Sequence, residues 1–262
     1  MISIQNVHAG YGENEILHGI TFDVKMGENL SIIGPNGCGK TTLLRTIAGT
    51  MPFTGDILCK EESIRKMKRR TLAKKISLLS QTIQVYFNYT VFDTIMMGRY
   101  VHESNGLFGG ISEKDKLAVN EALETVGMLE LKDREVDTLS GGQLQRVFLA
   151  KVLAQDPDII LLDEPTNHLD FSYQIEMIRF LKQWAVQKKK TVIGVLHDIN
   201  LAMQLSDRIL LLDDGKIHAF GYCRDIFTSD ALNSAYKMDV AGYMLETLKK
   251  WEDILAPQHL VL

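Results

Sequence analysis

The pattern of apolar and polar positions predicts strands and a helix in the first fifty residues. Short apolar runs rich in β-branched residues predict strands over 2–7, 16–24 and 30–33. The third run leads directly into a glycine-rich loop, Gly34-Pro-Asn-Gly-Cys-Gly39, and helical spacing follows from Lys40 to Ala48 before Gly49. The sequence therefore predicts the order strand, glycine loop, helix.

The segment from about 50 to 138 differs in character, and regular alternation returns after it. Within it, residues 65–75 are basic and predict a solvated helix face, and Ser112 has the position of a helix N-cap. From Ser140 onward the pattern predicts helices over 140–154, 172–187 and 199–205, strands over 159–162, 191–196 and 209–212, and a hairpin at Asp214-Gly215. Alternating strands and helices indicate a mostly parallel sheet with helices on both faces.

Composition narrows the class of protein without identifying it. The chain has 262 residues, of which 45% are apolar and 24% charged, and its net charge is -4. These values are typical of an ordinary globular protein, exclude disorder and give no reason to expect nucleic-acid binding. No apolar run approaches the roughly 18 residues of a membrane helix. The three cysteines, an odd number at wide spacing, favour a reducing compartment.

The glycine loop has the residue pattern of a phosphate-binding loop. Gly34-x-x-x-x-Gly39-Lys40-Thr41 places glycines where the backbone N–H groups can turn inward around a phosphate. Lys40 supplies a mobile positive charge, and the hydroxyl of Thr41 can bind Mg²⁺. The strand before the loop and the helix after it strengthen this interpretation.

Two further motifs complement the loop. The buried strand 159–162 ends in Asp163-Glu164, which predicts one carboxylate for a Mg²⁺ shell and one beside an attacking water. Leu139-Ser-Gly-Gly-Gln143 has the form of a helix start with a capping box between Ser140 and Gln143. Its two glycines leave N–H groups uncovered, so that a phosphate can approach closely.

Together these motifs resemble those of ATP-binding-cassette (ABC) ATPases, and the resemblance covers residues 1 to about 225. It implies an α/β P-loop NTPase core with a mostly parallel sheet, an N-terminal antiparallel β part and a helical subdomain. The expected organisation is a single domain over 1–262. Its parts are a catalytic core (about 1–80 and 139–225), a helical subdomain (about 82–138) and a C-terminal tail (about 226–262) packed on the core.

The resemblance also implies the site residues. The catalytic residues implied are Glu164, the switch histidine His197 and the Q-loop residue Gln81. Thr41, Gln81 and Asp163 are the residues implied to bind Mg²⁺. The ATP-binding residues implied are Tyr11, which stacks on adenine; Gly34, Pro35, Asn36, Gly37, Cys38, Gly39, Lys40, Thr41 and Thr42 of the Walker A loop; Ser140, Gly141, Gly142 and Gln143 of the signature motif; and Asp170 of the D-loop.

The resemblance implies partners as well as the cofactors ATP and Mg²⁺. Signature motifs in this family act across an interface, so a homodimer is expected in which Ser140 of one subunit binds the γ-phosphate held by Lys40 of the other. The helical subdomain is expected to contact an integral-membrane permease dimer at the cytoplasmic face of the inner (cell) membrane. A periplasmic or lipid-anchored substrate-binding protein acts indirectly, and no nucleic acid is expected.

One segment narrows the subgroup. Residues 89–102 resemble the stretch after the Q-loop in ATPases that drive uptake of iron-siderophore, haem and cobalamin chelates, although Val101 stands where proline is usual. We therefore expect the ATPase of a metal-chelate importer. Three alternatives stay open: an importer of a metal oxyanion such as molybdate, a soluble cassette protein acting on ribosomes, of which Thr166-Asn-His-Leu-Asp170 is typical, and a stand-alone ATP-binding module.

Three further expectations concern Cys38, the C-terminal tail and the residues of 86–97. Cys38 lies beside Lys40 and a helix N-terminus, which favour the thiolate, so it is predicted to be the most reactive cysteine. The tail has helical apolar spacing at Leu245, Leu248 and Trp251, and it is expected to pack on the domain. The aromatic and methionine residues of 86–97 fit a core and an apolar docking groove equally well.

Overall fold

The structure, a computed structural model, describes residues 1–80, 89–102, 111–167 and 169–256. Its strands are β1 (Ile2–Tyr11), β2 (Asn14–Val24), β3 (Leu30–Ile33), β4 (Phe53–Cys59), β5 (Glu62–Ser63), β6 (Ile76–Leu79), β7 (Ile159–Asp163), β8 (Thr191–Val195), β9 (Arg208–Asp213) and β10 (Lys216–Tyr222). Its helices are α1 (Lys40–Ile47), α2 (Arg69–Lys75), α3 (Val91–Met96), α4 (Glu113–Thr125), α5 (Gly141–Ala154), α6 (Phe171–Lys188), α7 (Ile199–Leu205), α8 (Cys223–Ile226), α9 (Ser229–Tyr236) and α10 (Val240–Leu255). Short 3₁₀ turns cover Met97–Val101, Leu129–Leu131 and Val136–Thr138.

The larger sheet is mostly parallel, as predicted. Its strand order is β10-β9-β3-β8-β7-β6, and only the β9–β10 hairpin is antiparallel. Every residue of β3, β7 and β8 is buried, which explains why these strands read as continuous apolar runs. Because β3, β8 and β7 are neighbours and parallel, the loops that leave their carboxyl ends meet at one edge of the sheet.

The sheet separates two hydrophobic clusters. Ile160 and Leu162 of β7 belong to the cluster that contains α5 and α6, whereas Ile159 and Leu161 belong to the cluster that contains α1 and the smaller sheet. Successive side chains of a strand point to opposite faces, so a single strand contributes to both clusters. The loops at the strand ends are therefore supported from both sides.

The smaller sheet is antiparallel, with the order β2-β1-β4-β5, and it confirms the predicted antiparallel β part. Strand β4 was not predicted from the sequence. Gly55 and Asp56 interrupt its apolar pattern, and Gly55 has a φ of 81°. A Cβ atom at Gly55 would lie 2.1 Å from the backbone oxygen of Asn6 in β1, so the glycine allows β4 to approach β1.

The helices α3 and α4 pack on α5, which joins the helical part to the core. Arg99 is buried between them; its Nε donates to Asp115 Oδ1 at 2.9 Å and its side chain also donates to the Ala154 carbonyl. Met96 is buried and Phe92 packs on the same cluster, which supports the core interpretation of this segment. Tyr86 and Phe87 lie outside the described residues.

The C-terminal tail packs on the core only in its first half. Leu232 and Ala235 of α9 are buried against β9 and β10. In α10, however, only the first residue is buried, and the apolar positions further along are more than half exposed: Tyr243, Leu245, Leu248, Trp251, Ile254 and Leu255. The tail therefore packs on the core through α9 and the start of α10, where Val240 and Met244 join the core cluster, whereas the apolar positions further along α10 are exposed. None of the helices in the described ranges is both long and apolar enough to span a bilayer.

Candidate nucleotide-binding and catalytic site

The loop between β3 and α1 has backbone conformations that glycine adopts most easily. Gly34, Gly37 and Gly39 have φ values of 147°, 80° and 103°. At Gly34 a Cβ atom would lie 2.0 Å from the backbone oxygen of Leu212 in β9, so close packing also excludes a side chain. Helix α1 begins after Gly39 with no side-chain cap, so its first N–H groups are available to an anion.

Lys40 is held inside this loop. The residue is 5% exposed, and its Nζ donates to the carbonyl oxygens of Gly34 at 2.8 Å and Pro35 at 2.7 Å. A buried ammonium group needs such partners because its desolvation is otherwise unfavourable. Asn36, also predicted for the loop, is exposed at its tip, and Thr42 is buried on α1.

Thr41 and Asp163 bring together, at the sheet edge, two oxygen atoms that can bind a metal ion. Thr41 Oγ1 donates to Asp163 Oδ1 at 2.8 Å, and Asp163, the last residue of β7, is buried. Burial raises the pKa of Asp163; the hydrogen bond from Thr41 opposes this, and the negative charge of Glu164 adds to it. The pair joins the start of α1 to the end of β7, which brings together two of the residues predicted to bind Mg²⁺.

The oxygen atoms of Thr41 and Asp163 are suitable ligands for Mg²⁺. The ion prefers oxygen ligands and is usually held by one or two protein groups together with substrate phosphates and water. No cluster of three or more His, Cys, Asp or Glu residues within the described ranges is arranged to hold a metal by itself. Thr41 and Asp163 would therefore hold Mg²⁺ together with a bound nucleotide. Gln81, the third predicted ligand and a predicted catalytic residue, lies outside the described residues.

Glu164 and His197 form a contact at the same edge. His197 Nε2 lies 2.6 Å from Glu164 Oε1; the histidine side chain is 39% exposed and the glutamate side chain 12%. Glu164 has a φ of 53°, and its backbone N–H donates to the Val195 carbonyl at 3.2 Å. This bond ties the turn after β7 to the end of β8, so the structure brings both predicted catalytic residues together.

The segment after Glu164 is fixed by side-chain amides that the sequence analysis did not single out. Asn167 Nδ2 donates to Glu164 Oε2 at 2.6 Å. Gln174 of α6 donates to the carbonyl oxygens of Thr166 and Leu169, at 3.1 and 3.0 Å. Gln145 of α5 donates to the Pro165 carbonyl. The available signal was the position of Asn167, three residues after the predicted base.

Asp170, which we predicted as an ATP-binding residue, is the N-cap of α6. Its Oδ1 accepts from Ser172 Oγ at 2.7 Å and from the Tyr173 backbone N–H at 2.9 Å. The Ser172 hydroxyl is the main cause that lowers the pKa of Asp170, followed by the Tyr173 backbone. The carboxylate therefore shapes the turn that leads into α6.

The signature motif has the predicted capping box. Gln143 N–H donates to Ser140 Oγ at 3.3 Å, and Ser140 N–H donates to Gln143 Oε1 at 3.0 Å. Ser140 and Gly141 are exposed, and a Cβ atom at Gly141 would meet no heavy atom within 4 Å; Gly142 lies next to Leu169. The start of α5 is thus an open surface with uncovered N–H groups.

Tyr11, the predicted adenine-stacking residue, ends β1 and is 53% exposed. Its hydroxyl accepts a hydrogen bond from Arg45 Nη1 of α1 at 3.3 Å. An exposed ring whose edge is held by a neighbour offers a flat surface for stacking. Arg45 was not predicted; its positive charge opposes the rise in the pKa of Asp163 that burial causes.

The structure contradicts the predicted reactivity of Cys38. Its side chain is buried, and this burial raises the pKa of the thiol, while Lys40 opposes the rise only in part. The sequence analysis considered Lys40 and the helix terminus, and it was right that these two lower the pKa of the thiol. It omitted the tertiary packing around the loop, which outweighs them.

A further contact joins the tail to the loop. Burial raises the pKa of the Tyr236 phenol of α9, and the nearby Gly34 backbone opposes this rise. The first half of the tail thus lies beside the phosphate loop, and sequence patterns alone did not indicate this.

Comparison with known proteins shows the family to which the chain is similar. The family model described as "ABC transporter" matches residues 17–167. The petrobactin import ATP-binding protein FpuD of Bacillus anthracis is 39% identical over 230 residues, which cover 87% of this chain and 84% of FpuD.

Two solved structures are also similar. One is a metal-chelate type ABC transporter in an inward-facing conformation, with a TM-score of 0.78 and 30% identity over 91% of this chain and 89% of the other. The other is the dimeric ATP-binding cassette MJ0796 bound to ADP and Pi, with a TM-score of 0.74 and 28% identity over 85% and 98% of the two chains. The predicted fold, family and ATPase activity are confirmed by these comparisons.

Proposed function

The chain belongs to the ABC transporter family, whose ATP-binding proteins are ATPases that power transport, and we propose that it drives import of a siderophore-type metal chelate. The observation that carries the proposal is the site at one edge of the parallel sheet. There Lys40, the Thr41–Asp163 pair and the Glu164–His197 pair form one constellation. It suits ATP hydrolysis, and the similarity to a petrobactin import protein suggests the cargo.

ATP binding would use groups that are already in place. The N–H groups of the loop and of the first turn of α1 would donate hydrogen bonds to the β-phosphate oxygens, and the ammonium of Lys40 would turn from the two loop carbonyls to the phosphate oxygens. Tyr11 would stack on the adenine ring. Thr41 and Asp163 would hold Mg²⁺, which supplies charge neutralisation on the phosphates.

Glu164 would act as the general base for hydrolysis. Its carboxylate is shielded from solvent, held by the strained turn after β7, and contacted by His197 at 2.6 Å. A positioned base that accepts a proton from the attacking water typically contributes a factor of about 10² to 10⁴ to the rate. His197 would turn to the γ-phosphate when ATP binds, which leaves Glu164 Oε1 for the water.

The signature motif would act on a second subunit. Ser140 and Gly141 lie on an open surface at the start of α5, where uncovered N–H groups suit a phosphate presented by another chain. We infer a homodimer in which each ATP lies between Lys40 of one subunit and Ser140 of the other. The two ATP molecules would then stabilise the closed dimer.

The expected partners follow from this role. An integral-membrane permease dimer would contact the helical part around α3 and α4 and would hold the chain at the cytoplasmic face of the membrane. A substrate-binding protein would deliver the metal chelate to the permease. The ATPase does not contact the cargo, so its identity depends on those other chains.

Reconstitution with the permease tests the proposal. The chain is co-expressed with its candidate permease, purified in lipid nanodiscs, and assayed for ATPase activity with binding protein that is empty, loaded with a ferric siderophore, or loaded with molybdate. Stimulation by the ferric-siderophore complex alone is the expected result. Stimulation by molybdate alone would indicate an oxyanion importer, and association with ribosomes without any permease would contradict the transport proposal.

A further inference from the structure

The carboxylate of Glu164 is contacted on both of its oxygen atoms. His197 Nε2 lies 2.6 Å from Oε1, and Asn167 Nδ2 donates to Oε2 at 2.6 Å. The two partners differ in kind. The imidazole of His197 can gain or lose a proton, whereas the amide of Asn167 is always neutral and always a donor.

Asn167 is presented by a segment that is itself fixed. Its backbone N–H donates to the Glu164 carbonyl at 3.3 Å, which closes a turn between the two residues. The carbonyl oxygens on either side accept from Gln174 of α6 and Gln145 of α5. Helices on both sides therefore hold the turn, and the amide does not depend on a mobile loop for its position.

The two partners also differ in exposure. The His197 side chain is 39% exposed at the end of β8, whereas the Asn167–Glu164 bond lies within a turn and is partly buried. Both contacts reach the same carboxylate, so the acceptor does not distinguish them. The amide bond is the less exposed of the two and lies in a turn held by two helices, so it is the one suited to persist when the histidine moves.

We propose that Asn167 is a positioning residue that holds Oε2 of Glu164, so that Oε1 faces the attacking water after His197 turns to the γ-phosphate. This inference rests on the proposed role of Glu164 as the general base. It assigns a function to the asparagine of the Thr166-Asn-His-Leu-Asp170 segment. Because the residue acts through another carboxylate, its loss should affect the chemical step and not nucleotide binding.

The test measures single-turnover ATP hydrolysis, the KM for ATP and the Tm of the full-length chain. Asn167→Leu keeps the approximate size of the side chain but removes the donor, and Asn167→Asp keeps its shape but removes the N–H and adds a negative charge beside Glu164. Both should lower kcat by about 10-fold to 100-fold, as is typical for the loss of a group that orients a site residue. The KM for ATP and the Tm should stay close to those of the wild type.

A matched control is available in the tail. Asn233 Nδ2 donates to Asp239 Oδ1 at 3.3 Å, which is the same kind of amide–carboxylate bond outside the site. Asn233→Leu should leave kcat unchanged. A comparable fall in kcat in this variant would show that any lost amide bond slows the enzyme, and it would overturn the assignment.

A double-mutant cycle with Glu164→Gln separates this inference from the proposed function. If Asn167 acts through Glu164, Asn167→Leu should not slow the Glu164→Gln enzyme further. An equal loss in both backgrounds, or a wild-type kcat for Asn167→Leu, would overturn the inference while the Glu164→Gln enzyme stays at least about 10²-fold slower than the wild type. Near wild-type hydrolysis by Glu164→Gln would instead overturn the catalytic role of Glu164 and, with it, that of Asn167.

Discussion

Replacing Gly34 with alanine should destabilise the protein far more than the same change at Gly37, although both belong to the phosphate loop. The two glycines have φ values of 147° and 80°, which are unfavourable for alanine. They differ in the room available for a side chain. A Cβ atom at Gly34 would lie 2.0 Å from the Leu212 backbone oxygen, whereas a Cβ atom at Gly37 would meet nothing within 4 Å. Gly12, at a φ of 61° and also in open space, provides a control outside the loop.

These contacts give the expected magnitudes. A non-glycine residue in a left-handed conformation costs about 1 to 2 kcal/mol, and this applies to all three positions. At Gly34 the strand β9 must also move, and overpacking of this kind costs a further 1 to 3 kcal/mol or so. We therefore expect a loss of about 2 to 5 kcal/mol for Gly34→Ala and about 1 to 2 kcal/mol for the other two variants.

Urea denaturation followed by tryptophan fluorescence measures these differences. Of the two tryptophans, Trp184 is buried in the core and Trp251 is exposed, so the fluorescence change reports mainly on core unfolding. For a domain of this size each kcal/mol also lowers the Tm by roughly 2 to 4 °C. If the Gly34→Ala protein unfolded at the same urea concentration as the Gly37→Ala and Gly12→Ala proteins, the steric argument would be refuted.

Three further predictions concern features outside the loop glycines. Maleimide should modify the half-buried Cys223 before the buried Cys38. Both reactions should become faster at higher pH, because burial raises the pKa of both thiols. Mass spectrometry that found Cys38 modified first would contradict this. Asp115→Asn should cost about 2 to 3 kcal/mol at neutral pH because it leaves a buried arginine without its carboxylate. The hydrogen bond from Ser112 is the main cause that lowers the pKa of Asp115, and the arginine lowers it further. The stability difference is therefore complete above the ordinary aspartate pKa and disappears as the pH falls through the lowered pKa of Asp115. A stability difference that persisted in acid would refute this prediction. Leu232→Ala should cost about 2 to 5 kcal/mol and Leu248→Ala less than about 0.5 kcal/mol, and equal losses in thermal unfolding would show that α10 packs on the core after all.

Most of the site could be predicted from the sequence because its motifs combine local backbone requirements with chemistry. The loop glycines, the capping box of Ser140 and Gln143, and the acidic end of β7 each specify a turn or a helix start within a few residues. The parallel neighbours β3, β8 and β7 then bring the glycine loop and the acidic end of β7 to one edge of the sheet. Alternation of strands and helices predicted a mostly parallel sheet, but it did not predict the order of these strands.

The errors arise where long-range packing decides the outcome. Cys38 was judged from its neighbours in sequence, but its pKa is set mainly by burial. Helical spacing predicted α10 correctly as a helix, but amphipathic spacing does not specify which surface, if any, covers the apolar face. Strand β4 was missed because Gly55 interrupts the pattern, and only its contact with β1 explains that glycine.

Asn167 illustrates a different limit. The sequence analysis used its segment only to distinguish classes of cassette protein, since an asparagine in a loop has many possible partners. Its hydrogen bond to Glu164 becomes visible only when the turn after β7 is placed, with Glu164 at a φ of 53°. The chemical role of a polar loop residue therefore depends on a backbone geometry that its residue type does not specify.

The central claim, that Glu164 is the general base of an ATPase that works as a dimer, is tested most directly with Glu164→Gln. The amide keeps the shape of the side chain but cannot accept the proton, so hydrolysis should fall by at least about 10²-fold. Light scattering after addition of MgATP should show a stable dimer of the variant, because binding is retained while turnover is blocked. Hydrolysis at a rate close to that of the wild type, or a variant that binds MgATP and stays monomeric, would contradict the account.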